Sequence, residues 1–168
     1  MSRHQLLRAA HAAPGLTRRT AALLLAGLFC PAPLRAAPAA IHVNKDPNCG
    51  CCEGWVAHLR HEGFVATVTD TPRMNAMKAR LGIPQDLWSC HTAEIERYVI
   101  EGHVPAAAIR RLLAERPQAA GLAVPGMPIG SPGMEVEGSP PDEYSVVLYG
   151  AFGQRDYVRF RGAVEIAG

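Results

Sequence analysis

The chain has 168 residues, 48% of them hydrophobic, which suits the core of one domain and leaves little for a second. Its formal charge of +2 is unevenly spread: five of the 17 Lys and Arg precede position 40 and all 15 acidic residues follow it, so residues 40–168 carry a net −3. That balance argues against nucleic acid as a partner.

Arg3, Arg8, Arg18 and Arg19 precede an apolar run over residues 21–30, and Ala37-Pro38-Ala39 has the small-residue form that a signal peptidase cuts. The run is too short to span a bilayer. Residues 1–39 are therefore expected to be a signal peptide, and residues 40–168 one exported domain with no stable membrane insertion. Thr17-Arg18-Arg19 half-matches a twin-arginine signal, so both the Sec and the twin-arginine routes stay open. Phe29 is bulkier than the residue that normally precedes a lipidated cysteine such as Cys30 would be.

After a short apolar stretch, Ile41-His42-Val43, comes Asn48-Cys49-Gly50-Cys51-Cys52-Glu53-Gly54-Trp55, three thiols in four positions. Residues 52–62 read as a helix with Trp55, Val56 and Leu59 on one side and Gly63 closing it. A helix start favours thiolate over thiol. Cys49 and Cys52 have the C-x-x-C spacing of a redox dithiol. With Cys90, four cysteines follow the leader. Two structural disulfides would suit an oxidising compartment. However, adjacent Cys51 and Cys52 cannot easily reach different partners, which favours metal or redox use. A single zinc takes four tetrahedral ligands, usually from well-separated pairs. Several Cu(I) ions sharing bridging thiolates fit three crowded sulfurs better.

Residues 64–69 are rich in β-branched residues and read as a strand, and Thr71-Pro72 as the cap and first turn of a helix reaching Leu81. Met74 and Met77 sit at core spacing on that helix. The alternation of strand and helix points to an α/β layer. Cys90-His91 precedes a single expected strand over residues 95–100; Cys90 is expected to be the fourth thiol ligand or a disulfide partner, and His91 a ligand or a surface histidine. His103, in the turn Gly102-His103-Val104-Pro105, is a candidate ligand or orienting group. Pro105 either starts a helix or follows a cis bond. Ile109, Leu112 and Leu113 have helical spacing up to Pro117.

Residues 121–141 are rich in glycine and proline and read as irregular, with an internal echo in Pro125-Gly126-Met127 and Pro132-Gly133-Met134. The two thioethers are either soft donors suited to Cu(I) or fillers beneath a long loop. Residues 144–149 and 157–161 read as an antiparallel hairpin joined by more than two residues. His58 and His61 could form a lesser metal-binding face, and Trp55 and Trp88 are expected to pack in the core or to shield the site.

Four motifs together resemble the DUF411 family, which includes the CopG-type copper-resistance proteins of the bacterial periplasm. They are Cys49-Gly50-Cys51-Cys52 with Trp55; Ser89-Cys90-His91-Thr92-Ala93; Glu101-Gly102-His103-Val104-Pro105-Ala106; and the two Pro-Gly-Met segments. The resemblance implies a periplasmic, thioredoxin-like α/β fold with a small mixed sheet, flanking helices and a C-terminal hairpin. It also implies a thiolate-bridged copper cluster, Cu(I) in more than one ion, on Cys49, Cys51, Cys52 and Cys90, with His91, His103, Met127 and Met134 around them. Copper resistance with possible copper redox interconversion is the expected role, alongside a periplasmic copper-handling or electron-transfer partner. A thiol-disulfide oxidoreductase using Cys49 and Cys52, or a copper chaperone without redox activity, is the alternative.

Overall fold

A computed structural model describes residues 38–167. The expected signal peptide lies almost wholly outside them. Strand β1 (Ala40–Lys45) buries Ile41 and Val43 and pairs in parallel with β2 (Val65–Asp70). A parallel pair needs a crossover, and helix α1 (Gly50–His61) supplies it, with Trp55, Val56 and Leu59 fully buried. Helix α2 (Met74–Arg80) follows, then a short 3₁₀ turn at Gln85–Leu87. Strands β3 (His91–Ile95) and β4 (Tyr98–Glu101) form an antiparallel pair, and β3 also runs antiparallel to β1. Helix α3 (Ala106–Glu115) crosses to β5 (Gly121–Ala123), which is parallel to β4. An antiparallel run of β6 (Glu143–Gly150), β7 (Gly153–Arg161) and β8 (Val164–Ile166) completes one eight-stranded mixed sheet, order β2-β1-β3-β4-β5-β6-β7-β8.

Side chains alternate between the two faces of each strand. Tyr98 and Ile100 of β4 and Leu122 of β5 therefore join Trp55, Leu59, Ile109 and Leu112 in the main core. Val99 and Ala123 face a smaller cluster with Ile83, Leu87, Trp88 and Tyr149. Helices α1 and α3 thus cover one face of the sheet, and the 3₁₀ segment covers part of the other. Among the described residues no helix is long and apolar enough to cross a membrane.

The α/β class holds, but the sheet is larger than the small one expected. Thr71-Pro72 does not open α2, which begins at Met74. Thr71 instead prolongs the sheet end, its N–H donating to Lys45 O (2.8 Å) and its hydroxyl to Asn44 Oδ1 (3.2 Å). The single strand expected over residues 95–100 is two strands. Glu96 turns the chain at φ 50°, with no glycine or asparagine there to announce it. Residues 121–141 are not wholly irregular, because β5 lies inside the sheet. At Gly121 a Cβ would fall 1.7 Å from Val99 O, so only glycine allows this approach. The β6–β7 loop has two residues, Ala151 and Phe152, rather than more, since Gly150 pairs with Gly153. The described residues contain no cis peptide bond, and Pro105 stands at the N-cap position of α3.

Candidate thiol and metal site

β1 ends at Lys45, and the Asp46 carboxylate accepts the Asn48 N–H (2.8 Å) while its carbonyl accepts the Cys49 N–H (3.1 Å). That turn delivers Cys49 to the N-cap position of α1 and puts Cys51 and Cys52 in its first turn. Cys52 points into the core and is fully buried. Cys49 and Cys52 form a disulfide, Cα–Cα 5.4 Å, while Cys51 and Cys90 are free and half-buried.

Register brings Cys90 to the same corner. β3 opposes β1 with His91 across from Lys45, so the residue before His91 lies beside the cysteine turn. The Cys51 sulfur is 3.4 Å from that of Cys49 and 3.8 Å from that of Cys90. The sulfurs of Cys49, Cys51 and Cys90 all lie within 4.8 Å of one another, a group able to hold a metal ion once the Cys49–Cys52 disulfide is reduced. Met127 completes the rim, its Sδ 3.0 Å from Cys90 Sγ. Burial, then the neighbouring Cys51 thiol, pushes the Cys90 thiol up to about 11.

His91 and His103 lie behind this rim, both fully buried. His91 packs against Trp55 (4.3 Å between ring centroids) and meets His103 edge to face (4.8 Å). A carbonyl only accepts, so His103 donates from Nδ1 to Pro132 O (2.9 Å), and its Nε2 is left as a lone pair. That lone pair and both nitrogens of His91 have no hydrogen-bond partner. Burial lowers both histidines, which therefore stand neutral at pH 7. Trp55 Nε1 donates to Val104 O (2.9 Å), so the indole is core and wall together.

The second Pro-Gly-Met segment crosses the start of α1. Gly133 has φ +85°, and a Cβ there would lie 2.5 Å from Trp55 N and 2.6 Å from Cys51 O. Met134, the next residue, is half-buried. Met74 and Met77 are core, as their spacing suggests. His58 is no surface ligand: its Nε2 accepts the Ala106 N–H (3.1 Å) at the start of α3.

Sequence reasoning missed a buried polar knot beside Cys90. Lys78 and Glu101, 1% and 0% exposed, form an ion pair that also engages Ser89 and Thr92. A signal existed: Lys78 sits four residues after Met74 on the apolar stripe of α2, where a lysine needs a partner.

A family profile described as "protein of unknown function, DUF411" matches residues 87–134, the span holding Cys90, His91, His103, Met127 and Met134. Among solved structures, copper resistance protein CopG in form 1 is 46% identical, covering 74% of this chain and 99% of that one at a TM-score of 0.69. The chain belongs to the DUF411 family of CopG-type proteins. Form 2 of CopG is 45% identical, covering 77% of this chain and 99% of that one at a TM-score of 0.67. No curated protein sequence matches the chain. The DUF411 profile takes in the downstream half of the site, whereas the cysteine turn at the start of α1 precedes it.

Proposed function

We propose that this chain is an exported, periplasmic copper-binding protein that holds Cu(I), in more than one ion, on sulfur. Copper resistance with redox interconversion of the metal is its role. The reading rests on one observation above all: three cysteine sulfurs within 4.8 Å of one another, with a methionine sulfur at the rim. The donor set fits the metal, because thiolates and thioethers are the ligands that soft Cu(I) selects. Cys51 and Cys90 are the proposed first ligands, and Cys49 and Cys52 join them once their disulfide opens. Met127 stands at the rim. Met134 and the partnerless nitrogens of His91 and His103 are proposed as further donors.

Copper supplies a one-electron couple, and the Cys49–Cys52 pair supplies two electrons when it closes. Two thiolates and two Cu(II) therefore balance against one disulfide and two Cu(I). Disulfide formation and metal occupancy compete for the same sulfurs; an electron-transfer partner supplies the two electrons that reopen the pair, and a copper-handling partner takes the ion. The order of elements through α3, with strands ordered β2-β1-β3-β4 and the dithiol opening α1, supports a thioredoxin-like reading of this half.

A second reading is a thiol-disulfide oxidoreductase, favoured by the Cys49–Cys52 disulfide itself. One set of measurements separates the two. Protein from copper-fed cells is expected to carry more than one copper per chain, with sulfur ligation by X-ray absorption, and to lose most of it in Cys51→Ser or Cys90→Ser. A single zinc and no copper would defeat the proposal. Disulfide-reducing turnover by metal-free protein that survives both substitutions would favour the enzyme. Transfer to an apo-acceptor without change of oxidation state would favour a chaperone.

A further inference from the structure

The pair Lys78–Glu101 is buried to 1% and 0% exposure. Such a pair is rarely kept for stability, because an apolar pair of similar volume often does as well or better. What it holds is more telling. Glu101 Oε1 accepts the Ser89 N–H (2.6 Å) and the Lys78 ammonium, and Oε2 accepts the Thr92 hydroxyl (2.6 Å). Lys78 also donates to Thr92 Oγ1 (2.8 Å). Ser89 and Thr92 flank Cys90-His91, so one carboxylate pins the chain on both sides of the thiol.

The knot continues to the thioether. Ser89 Oγ donates to Gly126 O (2.7 Å), and Gly126 is followed by Met127, whose sulfur lies 3.0 Å from that of Cys90. Gly102, next to Glu101, packs so closely that a Cβ would lie 2.7 Å from both Ser89 Cβ and Val124 O. Val124 in turn donates its N–H to Glu101 O (3.0 Å), which ties the start of the methionine loop to the end of β4.

We propose that Lys78 and Glu101 are positioning residues that, through Ser89, hold the Cys90 thiol and the Met127 thioether together as one half of the site. The metal arm of the test rests on the copper reading, whereas the thiol arm does not. The decisive variant is Lys78→Met with Glu101→Leu, which removes both charges and leaves neither unpaired. It is expected to fold, and to melt somewhat below the parent because the Thr92 hydroxyl and the Ser89 N–H lose their acceptor. In reduced, metal-free protein, alkylation of Cys90 relative to Cys51 should rise about tenfold, as the strand end opens more often. After copper loading it should show fewer sulfur neighbours per copper than the parent. Parental alkylation together with a parental sulfur count would overturn the proposal.

Should the double variant fail to fold, Ser89→Ala takes its place, since it keeps the ion pair and removes only the bond to Gly126 O. Faster oxidation of Met127 by peroxide in that variant supports the proposal, and an unchanged rate overturns it. If the parent binds no copper, the copper reading fails, and the alkylation of Cys90 still decides the positioning role.

Discussion

Gly133 has no room for a side chain. Its φ of +85° is one that L-residues seldom adopt, and a Cβ would collide with backbone atoms of α1 rather than with a side chain that could move aside. Gly133→Ala is therefore expected to cost about 1–3 kcal/mol in backbone strain alone and to lift the loop from Cys51 and Trp55. Urea unfolding checks the first effect, and loss of bound copper at unchanged thiol count checks the second. The Pro-Gly-Met echo was legible in the sequence, where its methionines read equally as soft donors or as fillers beneath the loop. What the glycine does was not, because a close approach involves a second segment that spacing does not reveal. Cys90 gives a further expectation at this scale. With its thiol pushed up to about 11, it stands protonated at neutral pH in the metal-free protein. Its alkylation should be slow at pH 7.5 and rise steadily toward pH 11, and copper uptake near neutrality should release a proton from it.

Elements with a strong period could be read directly, and those specified by their neighbours could not. The helix carrying Trp55, Val56 and Leu59 and the one carrying Ile109 and Leu112 were legible, because one apolar stripe dictates each. The β3–β4 turn was not, because Glu96 and Arg97 carry no turn chemistry of their own. The turn is held by the β3–β4 pairing and by contacts to the end of α3, where Glu96 pairs with Arg116 and Arg97 donates to Arg116 O and Pro117 O. β5 was hidden for the same reason: three small or apolar residues in a glycine-rich stretch become a strand only between β4 and β6. Gly121 is the test of that account. Gly121→Ala drives a methyl into Val99 O and is expected to cost about 3 kcal/mol, the upper end of overpacking. Amide exchange should show protection lost in β4 and β5 before the β6–β7 pair. Equal loss throughout the sheet would mean that β5 is not a separable seam.

For the molecule as a whole, the histidines set how stability depends on pH. His58, His91 and His103 all have folded pKa values below the ordinary 6.5, chiefly through burial. Between the folded and unfolded values the unfolded chain binds protons that the folded chain refuses, so stability is fully present above about pH 6.5 and declines as pH falls below it. The carboxylates of Glu62, Glu115 and Glu143 act with the same sign, but their side-chain partners hold them below the usual 4.5, so their effect begins only in more acid solution. Reduced, metal-free protein should thus unfold at lower urea at pH 5.5 than at pH 7.5. His91 should dominate, since it is fully buried beside His103 and Lys78 and neither ring nitrogen has a partner. In His91→Phe the ring still packs on Trp55 and no polar atom is stranded, so the variant should be at least as stable at pH 7.5 and keep much more of that stability at pH 5.5. An undiminished pH slope in that variant would shift the effect to His58, whose lone pair caps α3 and which protonation would uncouple from Ala106.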